Sequence, residues 1–127
     1  MRLFVAVRPS VEAVNHLAAQ VARLRVAAAA AAGVSVRLAD PADLHLTVAF
    51  LGAVESARLV EVDSALGLAV ERFRNGRDAV PRLSLGGGGR VGLDGYEGPS
   101  WPASELLLVR SHLGGRPRYE RIAAWSL

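Results

Sequence analysis

The stretch Leu44–Gly52 constrains this chain more than any other, because it alternates like a β-strand and carries two chemically useful side chains. One side of such a strand holds only apolar residues, namely Leu44, Leu46, Val48 and Phe50. The other side holds His45 and Thr47, with the small Ala49 beside them. A rise of about 3.3 Å per residue separates the first two side chains by roughly 7 Å. An imidazole exchanges protons near neutral pH and a hydroxyl can donate to a phosphate oxygen, so this side suits a phosphate-binding cleft. An ordinary half-buried strand would show the same alternation.

Composition favours a single domain in a reducing compartment. The chain has 127 residues, and we expect one domain spanning residues 1–127. It contains no cysteine, which excludes disulfides, thiolate metal sites and cysteine nucleophiles and fits a cytoplasmic protein. The apolar run Leu3–Val7 is too short for a signal peptide, and no apolar run reaches membrane-spanning length. We therefore expect neither a leader sequence nor contact with a membrane.

The positive charge is carried by arginine alone. The formal net charge is +3, and all 15 basic residues are arginine. Guanidinium groups bind phosphate in a bidentate manner, so this composition suits an anionic or nucleic-acid ligand. A GC-rich coding sequence would also replace lysine by arginine, so the charge alone does not choose between these two explanations.

The first part of the chain alternates between strand and helix patterns. A strand is predicted over residues 2–8, and a helix over residues 10–33 with its first residue, a serine, as N-cap. A short strand over residues 34–38 and a turn over residues 40–43 then lead into the strand of the opening paragraph. Gly52 is expected to end that strand, because glycine commonly interrupts regular structure.

The remainder adds one helix and several strands. A second helix is predicted over residues 56–74, with its apolar face formed by Leu59, Val62, Leu66, Val70 and Phe73. A weak strand follows over residues 81–85, and a hairpin is predicted from strands over residues 105–113 and 118–127. Alternation in the last strand places four residues on one side: Tyr119, Arg121, Ala123 and Trp125. This order favours an α+β fold, an antiparallel sheet with helices packed on its outer face.

The other histidines and the glycine run carry weaker signals. His16 lies off the apolar stripe of its helix, so we interpret it as a solvated surface residue. His112 has no hydroxyl residue two positions on, and we interpret it as structural or solvated. The run Gly86–Gly89 precedes neither a Lys-Ser/Thr pair nor a helix pattern, so it is interpreted as a flexible loop rather than a phosphate cradle.

The segment from His45 to Gly52 resembles the first His-x-Thr-x motif of the 2H phosphoesterase superfamily. The flanks agree: Met1–Pro9 resembles the opening strand of these proteins, Pro41–Leu44 the approach to the histidine, and Leu108–Leu113 part of the closing hairpin. The RNA 2′,3′-cyclic phosphodiesterases, once named 2′-5′ RNA ligases, are the most similar group. The similarity covers residues 1–90 and 94–127, nearly the whole chain.

The resemblance implies two similar lobes, each lending one His-x-Thr/Ser strand to a shared cleft. This sequence has one such motif, because neither His16 nor His112 is followed by a hydroxyl residue at the second position. We therefore expect a 2H phosphoesterase-like lobe with a truncated second lobe. An apparent deletion near residues 90–94 would remove a strand, a helix and the partner histidine.

The resemblance also implies the chemistry. One histidine of the family takes a proton from water that attacks a cyclic phosphate, and the other protonates the departing ribose oxygen. By position His45 would be the general acid and Thr47 a phosphate ligand, so both are the expected catalytic and substrate-binding residues. No metal and no cofactor is implied. The expected partner is RNA or a nucleotide with a 2′,3′-cyclic phosphate end.

Three hypotheses remain at this point. The chain is a cyclic phosphodiesterase whose second motif is missing, with doubtful activity because one positioned acid or base contributes on the order of 10²–10⁴ in rate. Alternatively it is a non-catalytic phosphate-binding remnant of the same fold. A homodimer that pairs two His45 strands would be a third arrangement, although we expect a monomer.

Overall fold

The computed structural model describes residues 1–23, 33, 41–86, 95–116 and 118–127. Two compact units share these residues. The sheet unit comprises Met1–Arg8, His45–Pro81 and Ala103–Leu127, and the second unit comprises Pro9–Leu44 and Arg82–Pro102. Three sequence predictions fall outside the described residues. They are the strand over 34–38, most of the C-terminal half of the first helix, and the apparent deletion near 90–94. Most of the predicted glycine loop, residues 87–89, also lies outside them.

A four-stranded antiparallel sheet forms the body of the sheet unit. With the strands numbered in chain order, its members are β1 (Arg2–Val7), β2 (Leu46–Ala53), β5 (Glu105–His112) and β6 (Arg118–Ser126). Their order across the sheet is β2-β1-β5-β6, and every neighbouring pair is antiparallel. The predicted opening strand and C-terminal hairpin are thus confirmed. Because β1 lies inside the sheet, its residues from Leu3 to Val7 are all buried.

One helix covers one face of this sheet, which we call the helix face. A 3₁₀ turn at Ser56–Arg58 leads into α2 (Leu59–Asn75), which agrees with the predicted helix over residues 56–74. All five residues of the predicted apolar stripe are wholly or partly buried. Leu3, Val5 and Leu108 form the sheet's part of this core, and each fully buried side chain of this size stabilises the fold by about 1.5–3 kcal/mol.

The opposite face of the sheet, here called the site face, has its own smaller core. Phe4, Ala6, Leu107 and Val109 are buried together, with Ala124 packed against them. Burial of these apolar side chains stabilises the sheet from this side as well, since exposed apolar surface is unfavourable.

Two bulges interrupt the alternation of β2. The register pairs Phe4 with Phe50 and Val5 with Ala49, and it leaves Val48 and Leu51 as extra residues. Because paired residues project to the same side, Phe50 lies on the site face and Ala49 on the helix face. The predicted alternation is therefore wrong beyond residue 48.

Two further expectations about the strands are wrong for related reasons. Gly52 does not end β2 but lies within it, with a φ of +70° that other residues rarely adopt. In β6, Arg121 is paired with Val109 and Ala123 is paired with Leu108. Ile122 between them has no pairing partner in β5, so it forms a bulge. Tyr119 and Arg121 consequently lie on the site face, whereas Ala123 and Trp125 pack on the helix face.

Among its described residues, the second unit contains one α-helix and a two-stranded sheet. Helix α1 spans Val11–Val21, and the hydroxyl of Ser10 accepts a hydrogen bond from the backbone N–H of Ala13 at 3.1 Å, as the predicted N-cap should. The predicted turn contains a 3₁₀ helix at Pro41–Asp43. Strand β3 (Arg82–Leu83) pairs with β4 (Trp101–Pro102), which agrees with a weak strand in the predicted place.

Within the described part of the chain, no helix combines the length and apolarity needed to span a membrane.

Candidate active site

His45 and Thr47 lie on the same face of the sheet. Thr47 pairs with Ala6, which belongs to the site-face core. His45 is the residue immediately before β2, and its ring stacks on Phe4 with centroids 4.8 Å apart and planes inclined at 27°. Both side chains are half-buried. The strand begins at Leu46 rather than Leu44, and its register shows no bulge between Leu46 and Thr47.

A tyrosine from the other end of the chain completes the environment of the imidazole. The ring of Tyr119 meets His45 edge-on, with centroids 5.2 Å apart and planes at 68°. It meets Phe4 in a T-shaped contact with centroids 5.8 Å apart. Edge-to-face pairs stabilise by about 0.5–1.5 kcal/mol beyond the area they bury. The three rings therefore restrict how the imidazole can turn, and local sequence patterns around His45 contain no signal for this contact.

The neighbour of the histidine and threonine along β2 is aromatic rather than small. Phe50 takes the place expected for Ala49, and its ring centroid lies 6.2 Å from that of Phe4. Its side chain is 81% exposed, in contrast to Phe4, which is 5% exposed. The site face thus presents an open aromatic surface next to the imidazole and the hydroxyl, and only the bulge at Val48 produces it.

Two arginines lie at the edge of the same face. Arg2 alternates with Phe4 on β1, and Arg121 lies opposite Val109. Both are exposed, and Arg121 donates to Glu105 at 3.2 Å. Because arginine stays charged at all relevant pH values, the two residues add positive charge to this face, and Glu105 offsets part of it.

The remaining histidines are engaged elsewhere. His16 is exposed, as predicted, but its Nδ1 also lies 2.8 Å from the hydroxyl oxygen of Tyr96 within the second unit. His112 lies on the helix face, where its Nε2 contacts a Glu120 oxygen at 2.7 Å. This hydrogen bond and the positive charges nearby lower the pKa of the Glu120 carboxyl. The structural interpretation of His112 is thus supported by a cross-strand pair that ties β5 to β6.

A surface cavity of about 530 Å³ lies between α2 and the end of β6, and none of the site residues just described lines it. The C-terminal half of α2 and the end of β6 form its walls, which consist of Gly67, Val70, Glu71, Arg74, Asn75, Ala124, Trp125 and Ser126. It therefore belongs to a different region of the sheet unit from His45 and Thr47.

Comparison with known proteins agrees with the fold and the motif. The family described as "LigT like Phosphoesterase" matches residues 11–87, which is more than half of the chain. The crystal structure of E. coli LigT complexed with ATP aligns with a TM-score of 0.67 at 21% identity, over 99% of this chain and 97% of that one. E. coli LigT complexed with 3′-AMP gives a TM-score of 0.55 at 20% identity, over 99% and 96% of the two chains. No curated protein sequence matches the chain.

The structural likeness confirms the predicted α+β fold with its antiparallel sheet, and the family match confirms the resemblance seen in the motif. The motif residues His45 and Thr47 fall inside the matched segment. This chain belongs to the LigT-like phosphoesterases of the 2H superfamily.

Proposed function

We propose that the protein is an RNA 2′,3′-cyclic phosphodiesterase that opens a terminal cyclic phosphate to a 2′-phosphate. The observation that carries the proposal is the placement of His45 and Thr47 together on the site face, in a chain of a phosphoesterase family. Relatives that are crystallised with ATP and 3′-AMP support a nucleotide as the ligand. We also propose that the protein acts in the cytoplasm.

The proposed reaction is a displacement at phosphorus. A water oxygen forms a bond to phosphorus while the bond to the ribose 3′-oxygen breaks. His45 donates its proton to the departing 3′-oxygen, and the hydroxyl of Thr47 donates a hydrogen bond to a non-bridging phosphate oxygen. This assignment follows the order of the residues in the motif and uses no metal ion or cofactor.

The proton lost by the attacking water needs an acceptor. The resemblance implies a second His-x-Thr/Ser motif for that purpose, and the sequence contains only one. We propose that a deletion near residues 90–94, outside the described residues, accounts for the difference. Because a positioned base contributes on the order of 10²–10⁴ in rate, turnover by this chain should be slow.

The single motif also favours a second candidate function, that of a non-catalytic module binding phosphorylated RNA ends. A half-site with one hydroxyl and one imidazole can hold a phosphate without completing the proton transfers. The two candidates make the same prediction for binding and opposite predictions for turnover.

The test is hydrolysis of adenosine 2′,3′-cyclic phosphate by the chain and by its His45→Ala variant. The matched control is His16→Ala, which removes an exposed imidazole in the second unit. The phosphodiesterase function requires adenosine 2′-phosphate as the product, loss of turnover in His45→Ala and unchanged turnover in the control. No turnover, combined with adenosine 2′-phosphate binding that Thr47→Ala abolishes, would favour the binding module. The absence of both turnover and binding would contradict both candidates.

A further inference from the structure

Phe50 is exposed to an unusual degree for an aromatic residue in a strand. Its side chain is 81% exposed, although its strand neighbour across the sheet, Phe4, is 5% exposed. Burying a ring of this size would stabilise the fold by about 1.5–3 kcal/mol, and the exposed ring lacks this stabilisation. An exposed aromatic surface beside polar groups is typical of a place where a planar ligand binds.

We propose that Phe50 is the platform on which the base of the terminal nucleotide stacks while its phosphate occupies His45 and Thr47. The inference rests on the proposed function, because it names the part of the same substrate that lies next to the phosphate. It adds a specificity residue outside the motif's histidine and threonine.

The geometry that supports this assignment comes from the bulge at Val48. Thr47 and Phe50 both project to the site face, although an uninterrupted strand would place them on opposite faces. The rings of His45 and Phe50 both contact the ring of Phe4, with centroid distances of 4.8 Å and 6.2 Å. The acid, the phosphate ligand and the open ring therefore border one small area, which a single nucleotide can cover.

Stacking on a phenyl ring also matches the ligand that the site needs. Every base has a π-face, so a stacked base contributes affinity without requiring a particular sequence. Removing one such platform weakens single-stranded nucleic-acid binding by about 5- to 100-fold. The face would consequently hold a nucleotide more tightly than a sugar phosphate.

A second copy of the chain is the competing occupant. Strand β2 lies at the edge of the described sheet, and edge strands can pair with other chains. However, β2 carries two bulges and a glycine with a φ of +70°, and these features disrupt the regular ladder that strand addition requires. The irregular edge therefore favours a nucleotide over a second strand.

The experiment measures equilibrium binding of two probes to the wild-type chain and to Phe50→Ala. One probe is adenosine 2′-phosphate, and the other is methyl riboside 2′-phosphate, which has no base. We expect Phe50→Ala to weaken binding of the first by about 5- to 100-fold and to leave the second unchanged. Phe50→Trp should keep the affinity of the wild-type chain for adenosine 2′-phosphate, since the indole ring also offers a stacking surface. Val60→Ala, which truncates an exposed side chain of α2, should change binding of neither probe.

Several results would overturn the inference. Equal weakening of both probes would show that Phe50 acts on the phosphate site, and unchanged binding of both would show that no base stacks there. Failure of the wild-type chain to bind the nucleotide would also contradict it, as would a wild-type dimer that Phe50→Ala converts to a monomer in sedimentation velocity. The experiment measures binding of the reaction product rather than turnover. Its result can therefore be interpreted even if the chain hydrolyses no cyclic phosphate.

Discussion

The imidazole of His45 stacks on the phenyl ring of Phe4, with ring centroids 4.8 Å apart and planes inclined at 27°. Phe4 is buried in β1, one of the two inner strands, so one side of the imidazole packs against the core of the sheet unit. Tyr119 closes a second side from β6. Contacts with two rings restrict the orientation of the imidazole, as a proton donor in the proposed reaction requires.

The first prediction concerns Tyr119. Replacing it by alanine should remove the edge contacts to His45 and Phe4, cost about 0.5–1.5 kcal/mol of stability and lower kcat more than it raises KM. The ring protons of His45 should also shift in the NMR spectrum, because a ring current disappears. Tyr119→Phe keeps the ring and should behave like wild type. A kcat that falls equally in both variants would instead indicate a chemical role for the hydroxyl.

The second prediction concerns the hydroxyl of Thr47. Thr47→Val preserves the branched shape and the half-buried packing opposite Ala6, so stability should change little. Binding of adenosine 2′-phosphate should weaken by about 10- to 100-fold, since a hydrogen bond to a charged group contributes about 1.5–3 kcal/mol. Calorimetric titration measures this loss, and Thr47→Ser should retain most of the affinity. Equal affinity of the valine variant and wild type would remove Thr47 from the phosphate site.

The third prediction concerns pH and the pair His112–Glu120. Its hydrogen bond lowers the pKa of the Glu120 carboxyl below the ordinary value of 4.5. A carboxyl with a lowered pKa stabilises the folded state above its ordinary pKa, and this stabilisation is lost as the pH falls through the lowered pKa. Glu120→Gln should therefore be less stable than wild type near neutral pH, with a difference that disappears in acid.

Urea unfolding across the acid range measures this effect. Glu61→Gln is the control, because Glu61 forms an exposed pair with Arg58 within one helix turn, and such pairs contribute little. A Glu120→Gln variant whose stability depends on pH as the wild type does would exclude the pair as a source of pH dependence.

The fourth prediction concerns Trp101 in the second unit. Its side chain is buried, and its Nε1 has no hydrogen-bond partner among the described residues. A buried donor without a partner costs about 1–3 kcal/mol, so Trp101→Phe, which removes the donor and leaves a smaller ring, should be nearly neutral. Trp101→Ala should destabilise by about 3–5 kcal/mol because it leaves a cavity. Thermal unfolding of both variants gives the comparison. Similar losses of stability in both variants would mean that the indole N–H has a hydrogen-bond partner in the folded protein.

Local periodicity predicted most of the helical structure and the strand order along the chain. The stripe from Leu59 to Phe73 lies on the buried side of α2, because a helix repeats every 3.6 residues whatever it packs against. The serine at position 10 caps α1 for an equally local reason. The common side of His45 and Thr47 is likewise predictable from the sequence, since only Leu46 lies between them and no bulge intervenes.

The rest of the candidate site depends on partners that are distant in the sequence. Alternation of the backbone is enough to predict that the side chains of His45 and Thr47 lie on one side. The arrival of Phe50 and Tyr119 on that side depends on the tertiary structure. Bulges arise from the hydrogen-bond register between β1 and β2, and between β5 and β6. That register is chosen by packing across the whole sheet rather than by any local pattern.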